Sequence, residues 1–163
     1  MISQGDIAAA ALWVATYEGP YHDDPNDPGR ATAWGLSARY TKFTDAQLQA
    51  MTVTAAAQYY VENYAPKNYD LLPSYFATPL LAFAILETSQ AVICLQRSLG
   101  VPMDGVIGNQ TAAAAGRRAP KLALLNYFRE CMRHLQTRPD WAAEGLGWQC
   151  RQFAASLEPL APQ

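Results

Sequence analysis

Residues 17–35 read Tyr17-Glu18-Gly19-Pro20-Tyr21-His22-Asp23-Asp24-Pro25-Asn26-Asp27-Pro28-Gly29-Arg30-Ala31-Thr32-Ala33-Trp34-Gly35. An apolar helical run ends here on a carboxylate, Glu18, because Gly19-Pro20 stops it. Residues 21–32 are dense in Asp, Asn, Pro and Gly, which excludes a long helix or a central strand. A short β-hairpin or an ordered loop is the expected form. Upstream, Ser3 followed by Asp6 has the form of a capping box. Ile7, Ala10, Ala11, Val14 and Glu18 share one side at helical spacing, so the first helix is expected over residues 3–18.

Downstream the pattern is helical. Thr44 with Gln47 opens a short helix, and Thr52 opens another whose face is Val53, Ala56, Ala57, Tyr60, Val61 and Tyr64. Thr78-Pro79 is a cap and first-turn pair, expected to start one long apolar helix over residues 79–99 that Gly100 closes. Short and long helices follow over residues 110–115 and 120–136, the latter with Leu124, Leu125, Phe128 and Met132 expected on its buried side. A last helix is expected over residues 147–157, anchored by Trp141 and Trp148. Strand signals are sparse, so the class is mainly α.

The 163 residues suffice for one domain with a real core. Net charge is −2. Residues 1–90 carry nine acids and four bases, and residues 91–163 carry eight bases and five acids. A basic second part could help hold an anionic polymer, although ordinary solvated helix faces are the preferred account of it. The three cysteines, Cys94, Cys131 and Cys150, have no CxxC pairing and are expected as buried free thiols. His134 lacks a partner motif and is read as structural. The apolar run over residues 7–15 is too short to span a bilayer and has no basic flank, so neither stable membrane insertion nor a signal peptide is expected. The chain is expected to be made in the cytoplasm and to act as a monomer.

Splitting a glycosidic bond takes a carboxylic acid that keeps its proton and, usually, an ionised second carboxylate. Glu18 fits the first role: it lies at the negative end of a helix, near Trp13, Tyr17, Tyr21 and Trp34, and both surroundings disfavour its charge. Asp27, on the polar loop, fits the second, and Thr32 can hold the attacking water. Tyr21, Asp24 and Trp34 are candidate sugar contacts. Asp23, Asp24, Asn26 and Asp27 also suit plain turn formers. A calcium loop starting at Asp24 fails, because Gly35 falls where a bidentate Glu is needed. No phosphate loop, zinc spacing or nucleophile elbow is present, so neither metal nor cofactor is expected. No nucleic-acid motif is present either.

The residues Glu18-Gly19-Pro20-Tyr21, Asp24-Pro25-Asn26-Asp27-Pro28-Gly29 and Thr32-Ala33-Trp34-Gly35-Leu36 resemble the opening signature of glycoside hydrolase family 108. Those proteins are phage-type endolysins and related N-acetylmuramidases with a lysozyme-like helical fold. Leu95-Gln96-Arg97-Ser98-Leu99-Gly100-Val101 and Asp104-Gly105-Val106-Ile107-Gly108-Asn109-Gln110-Thr111 resemble the peptidoglycan-binding region that follows in the same family. The resemblance implies a catalytic part over residues 1–90 and a wall-binding helical part over residues 91–163, packed as one unit. It implies cleavage of the β-1,4 bond between N-acetylmuramic acid and N-acetylglucosamine, with Glu18 as acid and Asp27 and Thr32 beside it. Peptidoglycan is then the partner, joined by an inhibitor protein if the chain is a secreted toxin, and the site of action is the periplasm or wall. Pro20 and Arg30 replace family glycines. Ala84-Ile85-Leu86-Glu87-Thr88-Ser89 stands where an Asn-containing stretch is usual, which makes Glu87 a candidate sugar contact as well as a plain surface Glu. A lytic transglycosylase on this scaffold and a non-catalytic wall-binding protein are the rival readings.

Overall fold

A computed structural model describes residues 1–23 and 31–160. Helix α1 (Gln4–Glu18) starts at Ser3, whose hydroxyl accepts from the Asp6 N–H while the Asp6 carboxylate accepts from the Ser3 N–H, the capping box read from the sequence. Strands β1 (Thr32–Ala33) and β2 (Leu36–Ser37) form an antiparallel hairpin with Thr32 opposite Ser37 and Ala33 opposite Leu36. The hairpin thus lies just beyond the acidic segment. His22 forms a bridge to Thr32 that brings the chain leaving α1 alongside it. Helix α2 (Asp45–Gln49) carries a second capping box, Thr44 with Gln47, and Thr52 caps α3 (Val53–Tyr64).

The apolar stretch in mid-sequence forms two helices, not one. Helix α4 (Ala77–Leu86) grows out of a 3-10 turn, Ser74–Phe76, so Thr78 lies inside it and gives its hydroxyl to Glu158 at 2.8 Å in place of capping. The break falls at Glu87 (φ −142°, ψ 68°), before α5 (Thr88–Leu99). Its cause is polar. The Thr88 hydroxyl takes the Ala84 carbonyl at 2.8 Å, and the Glu87 carboxylate is drawn to Arg138 and His134. Helix α4 is buried from Ala77 to Ala84 and packs against α1, α5 and the last long helix, Trp141–Leu157.

Helix α6 (Asn109–Gly116) leads to α7 (Pro120–Leu135), which starts with Pro120 in its first turn and packs on α5. On α7, Leu124 and Met132 are buried, but Leu125 is 62% exposed, because the α5-facing stripe turns away from it. Helix α8 (Trp141–Leu157) begins six residues earlier than its sequence pattern suggests and crosses α4 and α7. The ring of Trp141 lies where a side chain at position 145 would go, so Gly145 lets it fold back on its own helix. Cys94 on α5 and Cys131 on α7 are buried, whereas Cys150 on α8 is exposed, against the expectation of a buried thiol. The mainly α class, with a small hairpin after the first helix, is the one expected.

The motif over residues 95–111 is a self-contained knot. Gln96 is 1% exposed, and its amide N–H groups reach Asp104 at 2.6 Å, the Val106 carbonyl at 3.0 Å and the Thr111 hydroxyl at 3.3 Å. Its carbonyl accepts from the Gly105 N–H at 2.9 Å. The Gln96 amide also holds the Asp104 carboxyl below its usual range. A buried amide at the centre of several hydrogen bonds leaves its partners stranded when removed. Gln96→Ala is therefore expected to lower stability by about 2–3 kcal/mol, read as a fall in Tm of roughly 4–10 °C in thermal unfolding.

Candidate active site

Glu18 is the last residue of α1, and Gly19 turns the chain there with φ 87°. The hairpin folds back over this end. The Trp34 N–H donates to the Gly19 carbonyl at 2.7 Å, the indole Nε1–H donates to the Met51 carbonyl at 2.9 Å, and the Tyr60 hydroxyl donates to the Trp34 carbonyl at 2.6 Å. Trp34 needs this anchoring, because its φ of 53° is left-handed, a conformation that costs a side-chain-bearing residue roughly 1–2 kcal/mol. With Gly35 at φ 81°, both central residues of the hairpin have positive φ, the pattern of a type I′ turn.

Gly35 lies directly against the carboxylate arm. A Cβ built on it would sit 2.7 Å from Glu18 Cγ and closer still to the Tyr60 hydroxyl. The floor under Glu18 is therefore bare backbone, walled by Tyr60, which is 1% exposed. Burial, reinforced by the Glu18 charge, pushes the Tyr60 hydroxyl well above its usual range, so it stays a neutral donor. Its proton already goes to Trp34 and does not serve Glu18.

On the open side, the Arg151 guanidinium of α8 pairs with the Glu18 carboxylate. The two side chains are 12% and 24% exposed, respectively. The guanidinium thus lies on the very carboxylate that the sequence marks as the proton donor.

The other candidates fall as follows. Thr32 is half-buried on β1, tied by backbone to His22 at 2.9 Å in both directions. Tyr21 and Trp34 pack partly buried against the core. Asp24 and Asp27 lie outside the described residues. Glu87 sits at the α4–α5 break, its side chain 14% exposed, ion-paired with Arg138 and 3.5 Å from His134 Nε2. Burial and the charge of Arg97 push the His134 imidazole down, so it is neutral at pH 7 and its contact with Glu87 is not an ion pair. Arg138 also grips Asp140 through two hydrogen bonds of 2.9 and 2.7 Å, and its guanidinium lies 4.8 Å from the centre of the Trp148 ring. Trp148 and Arg151, three apart on α8, share a face. That face joins the Glu87 network to Glu18.

Sequence reasoning did not single out Arg151 or Arg138 for the site. It placed Tyr60 on a helix face but not beside Glu18. Only Tyr60 carried a usable signal, its place on the apolar stripe of α3.

The family described as Glycosyl hydrolase 108 matches residues 11–86. The structure of Brucella abortus SagA superimposes with a TM-score of 0.79 and 32% identity, over 97% of this chain and 95% of that one. The chain belongs to the glycosyl hydrolase 108 family. Curated proteins yielded no match. Membership makes the chain a glycoside hydrolase and implies action on peptidoglycan. The matched segment holds Glu18, the hairpin, α3 and α4 to its last residue, Leu86, whereas Glu87, Arg138, Trp148 and Arg151 lie beyond it.

Any side chain at position 35 must displace Tyr60 or Glu18 and also adopt a left-handed φ. Gly35→Ala is expected to cost about 2–4 kcal/mol and to reduce hydrolysis of purified peptidoglycan out of proportion to the folded fraction. Turbidity clearing, normalised by circular dichroism, reads both effects.

Proposed function

We propose that the chain is an N-acetylmuramidase that cleaves the β-1,4 bond between N-acetylmuramic acid and N-acetylglucosamine, with Glu18 as general acid. The observation that carries this is the seat of Glu18: a carboxylate at a helix end, lodged on the bare backbone of Gly35 and walled by Tyr60 within a glycoside hydrolase family. In this reading the Glu18 proton passes to the bridging oxygen as the bond to the anomeric carbon breaks. A water held near Thr32 and Asp27 adds to that carbon, and its proton goes to Asp27, so the net change is addition of one water. Residues 1–90 carry this chemistry and residues 91–163 hold the wall.

The acidic substrate suits a basic second part with eight bases against five acids. Work on the wall is done outside the cytoplasm, after pore-mediated release or secretion. A phage-type endolysin and a secreted antibacterial toxin share this chemistry, and the toxin would be made with an inhibitor protein.

Glu18→Gln keeps the shape and removes the acid. On purified peptidoglycan it is expected to lose at least about two orders of magnitude in rate. Mass analysis of the wild-type fragments is expected to show reducing ends carrying the added water. Anhydro ends would mark a lytic transglycosylase, and binding to insoluble wall without any product would mark a wall-binding protein.

A further inference from the structure

While Arg151 touches Glu18, the guanidinium occupies the carboxylate that has to reach the glycosidic oxygen. A general acid must stand within hydrogen-bond reach of the oxygen it protonates, and Arg151 lies in that place. For the proposed reaction Arg151 has to leave. A guanidinium with only 12% of its side chain exposed does not leave for nothing: unpaired and out of water, it is strongly unfavourable.

The described acids around that face of α8 are already engaged. Glu87 and Asp140 are held by Arg138, Glu130 lies 3.0 Å from Arg133, and Glu158 receives the Thr78 hydroxyl. Among the described residues, the groups facing Glu18 from other elements are Tyr60 on α3 and Arg151 on α8, with Tyr59 and Tyr64 beside Tyr60. The hairpin presents the Gly35 backbone. Burial keeps Tyr60 a neutral donor, so it offers no anion. A substrate carboxylate is a group of the right charge to receive Arg151.

We propose that Arg151 is a specificity-determining residue that guards Glu18 in the free protein and transfers to a carboxylate on the muramoyl side of the substrate. This rests on the reading of Glu18 as the acid. The exchange leaves Glu18 free to take a proton from solvent, so an acidic glycan unlocks the site and a neutral one does not. A planar guanidinium suits this role, because it grips two successive carboxylates through the same fork. Trp148, one turn before Arg151 on the same face, adds an aromatic surface beside it. Discrimination against neutral N-acetylglucosamine polymers thus comes from the lock on the acid as well as from binding.

The test compares wild type, Arg151→Gln, Arg151→Lys and Glu18→Gln on three probes: glycan strands stripped of peptide, which bear lactyl carboxylates; the same strands methyl-esterified; and strands with peptide stems. Wild type is expected to favour either carboxylate-bearing probe over the ester. In Arg151→Gln that ratio of kcat/KM is expected to fall at least tenfold, with ester cleavage rising. The gain on the ester is expected in kcat, with KM little changed. Arg151→Lys is expected to retain part of the preference. Collapse on stripped strands assigns the anion to the lactyl group, and collapse only on peptide-bearing strands assigns it to the stem.

An unchanged ratio, or a parallel loss on every probe with no gain in kcat on the ester, overturns the proposal. Glu18→Gln separates the two readings: inactive on all probes, it supports the acid; active, it defeats the Glu18 reading whatever Arg151 does. A crystal of the wild type with N-acetylmuramic acid needs no variant. Arg151 on a carboxylate of that sugar, or of its peptide-bearing form in a second crystal, is the expected finding, and Arg151 still on Glu18 beside both overturns it.

Discussion

A missing side chain organises this molecule. Gly35 presents bare backbone to the end of α1, and the arm of Glu18 and the Tyr60 hydroxyl occupy the space a Cβ would take. The hairpin can come that close only with two consecutive left-handed residues, and the second is a glycine. The first is Trp34, whose strain is held by hydrogen bonds from its amide, its indole and its carbonyl. Each bond runs to a different element: the end of α1, the turn after α2, and α3. The strained tryptophan therefore fastens together the pieces that carry the site, as strained positions at functional sites commonly do.

Two electrostatic tendencies then meet at one carboxylate. It sits at the negative end of a helix beside the buried Tyr60, and the guanidinium of α8 pairs with it. In a protein built only for stability, a buried acid would be paired once and left. Here the partner comes from a helix 133 residues away, on the same face as an aromatic ring and next to a second arginine network. The Glu87 break belongs to that network as well. Arg138 binds Glu87 on one side and Asp140 on the other while lying over Trp148, so α4, α7 and α8 are joined around the same corner. The last helix of the chain thus reaches Glu18 at the end of the first.

What was legible in the sequence was local. The capping boxes at Ser3 and Thr44, the stop at Gly19, the proline opening α7 and the glycine closing α5 are each decided within about four residues, and each reads directly. Glu18 stood out because it lies at one of those stops before a polar segment. What was not legible was decided by distant partners. Residues 79–99 look like one helix, and the break at Glu87 depends on Arg138 and His134 far along the chain. Leu125 and Cys150 have apolar neighbours in sequence but face away from the helices that cover the rest of α7 and α8. Arg151 has no local mark, because a lone arginine on an amphipathic helix reads as a solvated charge until the fold puts it on Glu18.

The central claim is that the end of α1 presents an acid to a glycosidic oxygen. It is tested most directly by a crystal structure of Glu18→Gln with an unhydrolysed glycan fragment containing the muramoyl–glucosaminyl linkage. The account predicts the bridging oxygen about 3 Å from the amide of residue 18, with the sugar chain passing over the Trp34–Gly35 turn. A fragment bound elsewhere, with residue 18 left facing Arg151, would contradict it.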